Sequence, residues 1–403
     1  MTFIRTNLKK RYYKYLRWRD RGRYLGTNFT HPLIGTDLPK VLTSEIDVPL
    51  SDKLLKRLCQ SFVFSAKNYK TSGDIWLQLE GKRSDYIAAL EEGPSDRLRV
   101  FYNRLLKDDL VEGMGHSEAL FVDETKNPYC RNYFQLRTID TLMSLGEALG
   151  VYAMPNAVQM NLSEFIEHMN PDISQLTEKI ETALGFSIGM PTFGNPPVID
   201  PNLRLNPDSI RHAYTIHRLK VLGADENTRI LEIGGGYGMA ALLAHRAGLR
   251  NYMIVDIPYV ASLQGAYLGA ALGEDQVALA DGATRWMEDL IQIDSPHRID
   301  EIPDRSIDFV VNTDSLPEMP NTVAQDYISS ILRICRGIFL SINQEAKTIH
   351  GGLQQGAVCE LMAKHGCVPS HRFRHWMEQG YVEEIFMIAA SPSSPLNPQR
   401  VDG

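Results

Sequence analysis

The chain has 403 residues, 43% of them apolar and 23% charged, enough for a packed core and, because single cores stop growing near ~250 to 300 residues, enough for two domains. It contains no run of ~18 apolar residues and no leader with an apolar middle, which excludes a helical membrane protein and favours a soluble cytoplasmic one. The formal net charge of -7 is unevenly spread, because residues 1–25 carry nine Lys and Arg against the single Asp20.

That arm, with Ile4, Leu8, Tyr12, Tyr15 and Leu16 at helical spacing, reads as a basic amphipathic helix. Peripheral contact with an anionic membrane is expected of it, docking on its own acidic body or on a second copy of the chain being the other reading. Residues 26–205 form a mainly helical region. Ile139, Leu142, Leu145 and Leu149 make one apolar stripe, and Ile173, Leu176, Ile180 and Leu184 make another. From Gly189 to Pro207 five prolines interrupt the pattern, so a linker or lid is expected there. Asn206-Pro207 then supplies an N-cap and a proline at the first helical position, opening a helix to Leu222.

Leu231 to Gly238, LEIGGGYG, follows an apolar run and precedes another from Met239 to Ala247, giving strand, tight turn and helix. The glycines admit positive φ and a ligand close to the backbone, and the helix start aims free N–H groups into the turn. A dinucleotide fingerprint would place a glycine where Met239 stands, so that reading fails. The pattern instead is E-x-G-x-G-x-G over Glu232, Gly234, Gly236 and Gly238, similar to the first motif of class I S-adenosylmethionine methyltransferases. Asn251 to Ile257 is a second strand ending at Asp256, where an acid accepts the ribose hydroxyls of an adenosine. The short run VALADG ends at Asp281, so three successive strand tips carry an acid.

After Asp281 the sequence predicts a helix over Arg285 to Ile291, a strand over Ser306 to Thr313, a helix over Val323 to Cys335, a strand over Ile338 to Ile342 and a helix over Leu353 to His365. Arg372 to Trp376 and Val382 to Ala390 are extended runs around a turn at Gln379-Gly380. Strands alternating with helices require a parallel sheet covered on both faces, and the last two runs an antiparallel closing pair. The expected fold is therefore α/β, a doubly wound, mostly parallel, seven-stranded Rossmann-like sheet over 206–391, with a tail at 392–403.

EIGGGYG, NYMIVDIPYVASLQGAYLGAALG, DFVVNTDSLPEMP, FLSINQE and GYVEEIFMI occur in order and together resemble the sugar O-methyltransferase family found among bacterial surface-polysaccharide genes. The resemblance covers about 205–390 and implies S-adenosyl-L-methionine as cofactor and a sugar or glycan hydroxyl as acceptor. It implies cofactor contacts from Glu232, Gly234, Gly235, Gly236, Gly238, Asp256, Ile257, Asp281 and Asn312. The base is expected first at Asp314, then at Glu318, both just beyond the fourth strand, with His350 next and His212 and His217 as rivals. The alternative for Asp314 and Ser315 is that they cap the following turn.

The five cysteines are scattered and read as reduced thiols, and Cys359, Cys367, His371 and His375 lack a paired C-x-x-C, so no metal is expected. Two other functions fit parts of the pattern. A non-enzymatic S-adenosylmethionine-binding partner in glycan assembly would not need Glu232, the glycines and Asp256 so complete. A nucleic-acid methyltransferase would need a basic face beyond the arm and an N-P-P-Y-type motif where NTDSLPEMP stands, so no nucleic acid is expected.

Overall fold

The computed structural model describes residues 38–69, 75–126, 132–153, 171–282, 286–345, 349–350, 353–354 and 356–388. The basic arm and the tail lie outside them. Eight strands form the main sheet: β1 (Ile230–Ile233), β2 (Tyr252–Val255), β3 (Val277–Leu279), β4 (Ile291–Asp294), β5 (Ile307–Thr313), β6 (Cys335–Gln344), β7 (His371–Arg374) and β8 (Tyr381–Met387). Their order is β7-β8-β6-β5-β1-β2-β4-β3, parallel from β3 to β6 and antiparallel for β8 and β7. This is the expected doubly wound sheet with its closing hairpin. The order reverses between β1 and β5, which opens a crevice beyond their carboxyl ends.

The sheet has eight strands rather than seven because Ile291–Asp294, where a helix was expected to end, is β4. Ile291 and Ile293 alternate with Gln292 and Asp294, and a full ladder to β2 on one side and β3 on the other outweighs the helical spacing. The predicted helix from Leu353 is shorter as well, Val358–Ala363, because Leu353–Gln354 pairs with Ile349–His350.

Both faces of the sheet are buried, as the period of two requires. Ile230, Tyr252, Ile254, Phe309 and Val311 face one core, and Leu231, Ile233, Met253, Val255 and Val310 face the other. The helices of the described residues include α1 (Asp52–Asn68), α2 (Tyr133–Ala148), α3 (Ile173–Leu184), α4 (Pro207–Val221), α5 (Met239–Arg246), α6 (Pro258–Leu272) and α7 (Asn321–Ile334). Apolar residues run all round α6 because it lies between the sheet and the N-terminal helices. Gly265 and Gly269 let Leu58 and Leu54 of α1 close on it, a Cβ at either position meeting those leucines at 2.6 and 2.8 Å. The N-terminal helices thus share a continuous core with the sheet.

The proline-rich segment before α4 is a loop, but a largely buried one. Val198–Ile199 pairs with Val41–Leu42, and the Asn195 amide bonds Ser44, Ile46 and Asn103. Asn206 caps α4 as expected, accepting from Asp208 N at 2.8 Å while its own amide donates to Pro197 O. No helix of the described residues is long and apolar enough to cross a membrane.

Candidate functional site

At the end of β1 the backbone turns through Gly234 (φ +72°) and Gly236 (φ +55°) into α5. A Cβ on Gly234 would stand 2.4 Å from Ser315 Oγ, so only glycine lets the tip of β1 meet the turn after β5. Ser315 Oγ and Asn312 Nδ2 each donate to Ile233 O at 2.8 Å and fix that contact. Asn312 is fully buried in this role and does not line the cavity, so it positions the glycine loop from behind. Gly238 likewise faces away, against Leu268 of α6.

Asp256, at the tip of β2, accepts from Gly235 N (2.9 Å), Gln264 Nε2 (2.7 Å) and Ile257 N (2.8 Å). Burial nevertheless raises its carboxyl to about 7, those bonds pulling against the rise. A carboxylate offers about four acceptor positions, so room remains for further donors. Glu232 is pushed up to about 8 by burial, the neighbouring Tyr252 hydroxyl opposing and the Asp256 charge adding to the rise, and its buried Oε2 has no hydrogen-bond partner. Two carboxyls raised by burial beside a glycine cradle fit a ligand that brings hydroxyl donors and positive charge.

The cradle opens into a cavity of about 370 Å³ whose lining includes Glu232, Gly234, Gly235, Gly236, Asp256 and Ile257 together with Asp314 and Glu318. Asp314 sits in the left-handed region (φ +69°) just past β5, with Oδ2 3.3 Å from Arg211 Nη1. Its carboxyl is raised to about 6 by burial; Arg211 lowers it, the Glu378 charge raises it and the Tyr381 hydroxyl lowers it. Arg211 also reaches Glu378 at 3.0 Å, and Glu378 meets Arg137 of α2 at 2.6 Å, so the wall is anchored to the N-terminal helices.

The sequence reading missed part of this wall. Asp208, on the first turn of α4 and 1% exposed, receives His116 Nδ1 and His116 N, both at 2.7 Å, and the Tyr237 hydroxyl at 3.4 Å. Burial works against its charge, but the charge and hydrogen bonds of His116 and the charge of Arg211 hold its carboxyl well below the usual range. His116 reaches the site on the loop Gly113-Met114-Gly115, which closes over the glycine turn: a Cβ on Gly236 would lie 3.3 Å from Met114 O, and one on Gly115 2.5 Å from Asp208 Oδ2. The glycines flanking Met114 and the acid in a capped first turn were the available signals; their meeting was not legible.

Other expected residues fall elsewhere. Asp281 is exposed beyond the edge strand β3 and does not line the cavity, because β4 is inserted between β3 and β2. The backbone of His350 lies in the small Ile349–His350 pair, and its side chain is outside the described residues. His212 lines the cavity with its imidazole pushed down to about 3 by burial and by Arg211, whereas His217 does not line it. Cys359 lies with Glu345 and Glu384, not with Cys367, His371 and His375, and Arg372 already pairs with both glutamates.

No family model and no curated protein matches the sequence. Solved structures similar to the chain include a SAM-dependent methyltransferase from Aquifex aeolicus, 13% identical, over 43% of this chain and 88% of that one with a TM-score of 0.32. A geranyl diphosphate C-methyltransferase from Streptomyces coelicolor A3(2), in complex with Mg2+, geranyl diphosphate and S-adenosyl-L-homocysteine, is 14% identical over 44% and 78% with a TM-score of 0.34. A 1,6-didemethyltoxoflavin-N1-methyltransferase from Burkholderia thailandensis, with bound 1,6-didemethyltoxoflavin and S-adenosylhomocysteine, is 17% identical over 46% and 77% with a TM-score of 0.32.

Proposed function

We propose that the protein is an S-adenosylmethionine-dependent O-methyltransferase acting on a sugar hydroxyl of a bacterial glycan or glycoconjugate. The observation that carries this reading is one cavity joining the glycine cradle and Asp256 to a wall of Asp208, Arg211 and Asp314 at the reversal of strand order. When bound, S-adenosylmethionine supplies a methyl group on a positively charged sulfur. Asp256 holds the ribose hydroxyls, Glu232 the cationic end, and the amides of the glycine turn the carboxylate. The Asp208, Arg211, Asp314 and Glu318 side chains of the wall supply donors and acceptors for a molecule with several hydroxyl groups, and Trp76 and Leu120 supply apolar surface for the face of a sugar ring. Its work is to align one hydroxyl oxygen with the methyl carbon and to take the hydroxyl proton. Asp314 and Glu318 serve as acceptor-facing carboxylates, with Arg211 holding Asp314 in place.

Titration calorimetry of the full chain with S-adenosylhomocysteine tests the cofactor half. Binding is expected, and Asp256→Ala should weaken it by about 1 to 3 kcal/mol, the loss of charge-assisted hydrogen bonds. An unchanged affinity in that variant would refute the assignment. Mass spectrometry of surface glycans made with and without the gene identifies the acceptor, a methyl ether on a sugar being the expected difference.

A further inference from the structure

We infer that His116, oriented by Asp208, is the general base of the acceptor site, supplied by the N-terminal region to chemistry that the sheet positions. The inference rests on the methyl-transfer reading of the cavity. His116 and its partner Asp208 both line that cavity, His116 partly exposed and Asp208 buried. A buried carboxylate is an acceptor only, so it holds the proton of the imidazole on Nδ1 and leaves Nε2 as the basic nitrogen. Nε2 has no hydrogen-bond partner among the described residues, whereas Nδ1 and the His116 backbone N–H are both committed to Asp208. The ring is further fixed by Tyr133, stacked at 26° with centroids 6.4 Å apart, and by Phe134, edge-on at 6.3 Å.

The groups facing this pair are Tyr237 from the glycine turn, which donates to Asp208, and Arg211 from the next turn of α4, whose charge favours an ionised Asp208. Asp208 also lies in the first turn of α4, where the helix dipole favours an anion. By contrast, Asp314 Oδ2 already faces the Arg211 guanidinium. In the step, the acceptor O–H bond breaks and its proton passes to Nε2. The oxygen lone pair forms the new C–O bond, and the C–S bond of the sulfonium breaks with its electron pair staying on sulfur. Asp208 stabilises the imidazolium until the proton leaves to water, so it is a positioning residue and His116 the catalytic one.

Three measurements on the full chain test this: the His116 tautomer by nitrogen-15 NMR, S-adenosylhomocysteine affinity by calorimetry, and methylation of a panel of methyl hexopyranosides against pH. In the neutral imidazole the proton is expected on Nδ1, and Asp208→Asn should disturb that preference. His116→Gln should lower kcat ~100 to 10,000-fold and abolish the acid limb of the pH profile, with cofactor affinity within twofold of wild type. Asp208→Asn should lower kcat less, with the acid limb still present. A proton on Nε2 overturns the assignment, and so does turnover in His116→Gln within a few fold of wild type while cofactor binding is intact. A wild-type chain that binds no S-adenosylhomocysteine removes the methyl-transfer reading and the base with it.

Discussion

Glu232 and Asp256 are held in the folded chain with carboxyls at about 8 and about 7, while in an unfolded chain both ionise near ~4. Between those values the unfolded state has given up protons that the folded state keeps, so rising pH removes stability from the ligand-free protein. A ligand bringing ribose hydroxyls and a positive group favours the ionised carboxyls and reverses that loss. S-adenosylhomocysteine should therefore bind more tightly as pH rises from ~6 to ~8, by at most about tenfold per unit for each group, and its thermal stabilisation should grow in parallel. In Asp256→Asn the dependence should flatten, and an affinity that falls with pH in the wild type would contradict the role of these acids. Both residues were legible in the sequence because a strand tip beside a glycine turn is a local signal. Asp314 was legible as a position only, since the Arg211 that faces it lies 103 residues earlier.

Among the elements, α4 connects the most parts of the site. Asp208, Arg211 and His212 line the cavity, while Tyr214 and Arg218 hold the buried Glu383 of β8 at 2.6 and 2.7 Å. The sequence marked its start through Asn206 and Pro207, but its polar stripe reads as a solvated face until the partners from remote segments are in place. Asn206→Ala should cost about 2 to 3 kcal/mol, roughly 1 for the cap and 1 to 2 for the buried Pro197 carbonyl it leaves without a donor. Denaturant unfolding should show a lower midpoint with an unchanged slope. A loss under ~0.5 kcal/mol would mean that α4 is held by its side-chain contacts and not by its cap. In β4 the failure was one of period: a helix pattern was read where two isoleucines two residues apart complete a sheet.

At the scale of the whole molecule, the N-terminal helices belong to the same packed body as the sheet, since α1 packs on α6 and the loop carrying His116 closes over the glycine turn. For the basic arm we propose anchorage on an anionic membrane, at about 1 kcal/mol per basic residue near the surface. A chain lacking residues 1–25 should keep its turnover on a soluble acceptor and lose binding to anionic vesicles, and added salt should release the full chain. Loss of folding in the shortened chain would instead mean that the arm docks on its own body. The sequence by itself determined the alternation of strands and helices, the cradle of Gly234 to Gly236 and the acids at Glu232 and Asp256, because each depends on neighbours within a few positions. Only the tertiary structure decided which face of α4 meets the cavity, that β4 separates Asp281 from the site, and that His116 meets Asp208 across 92 residues, because those pairings arise from packing between segments whose local patterns do not refer to one another.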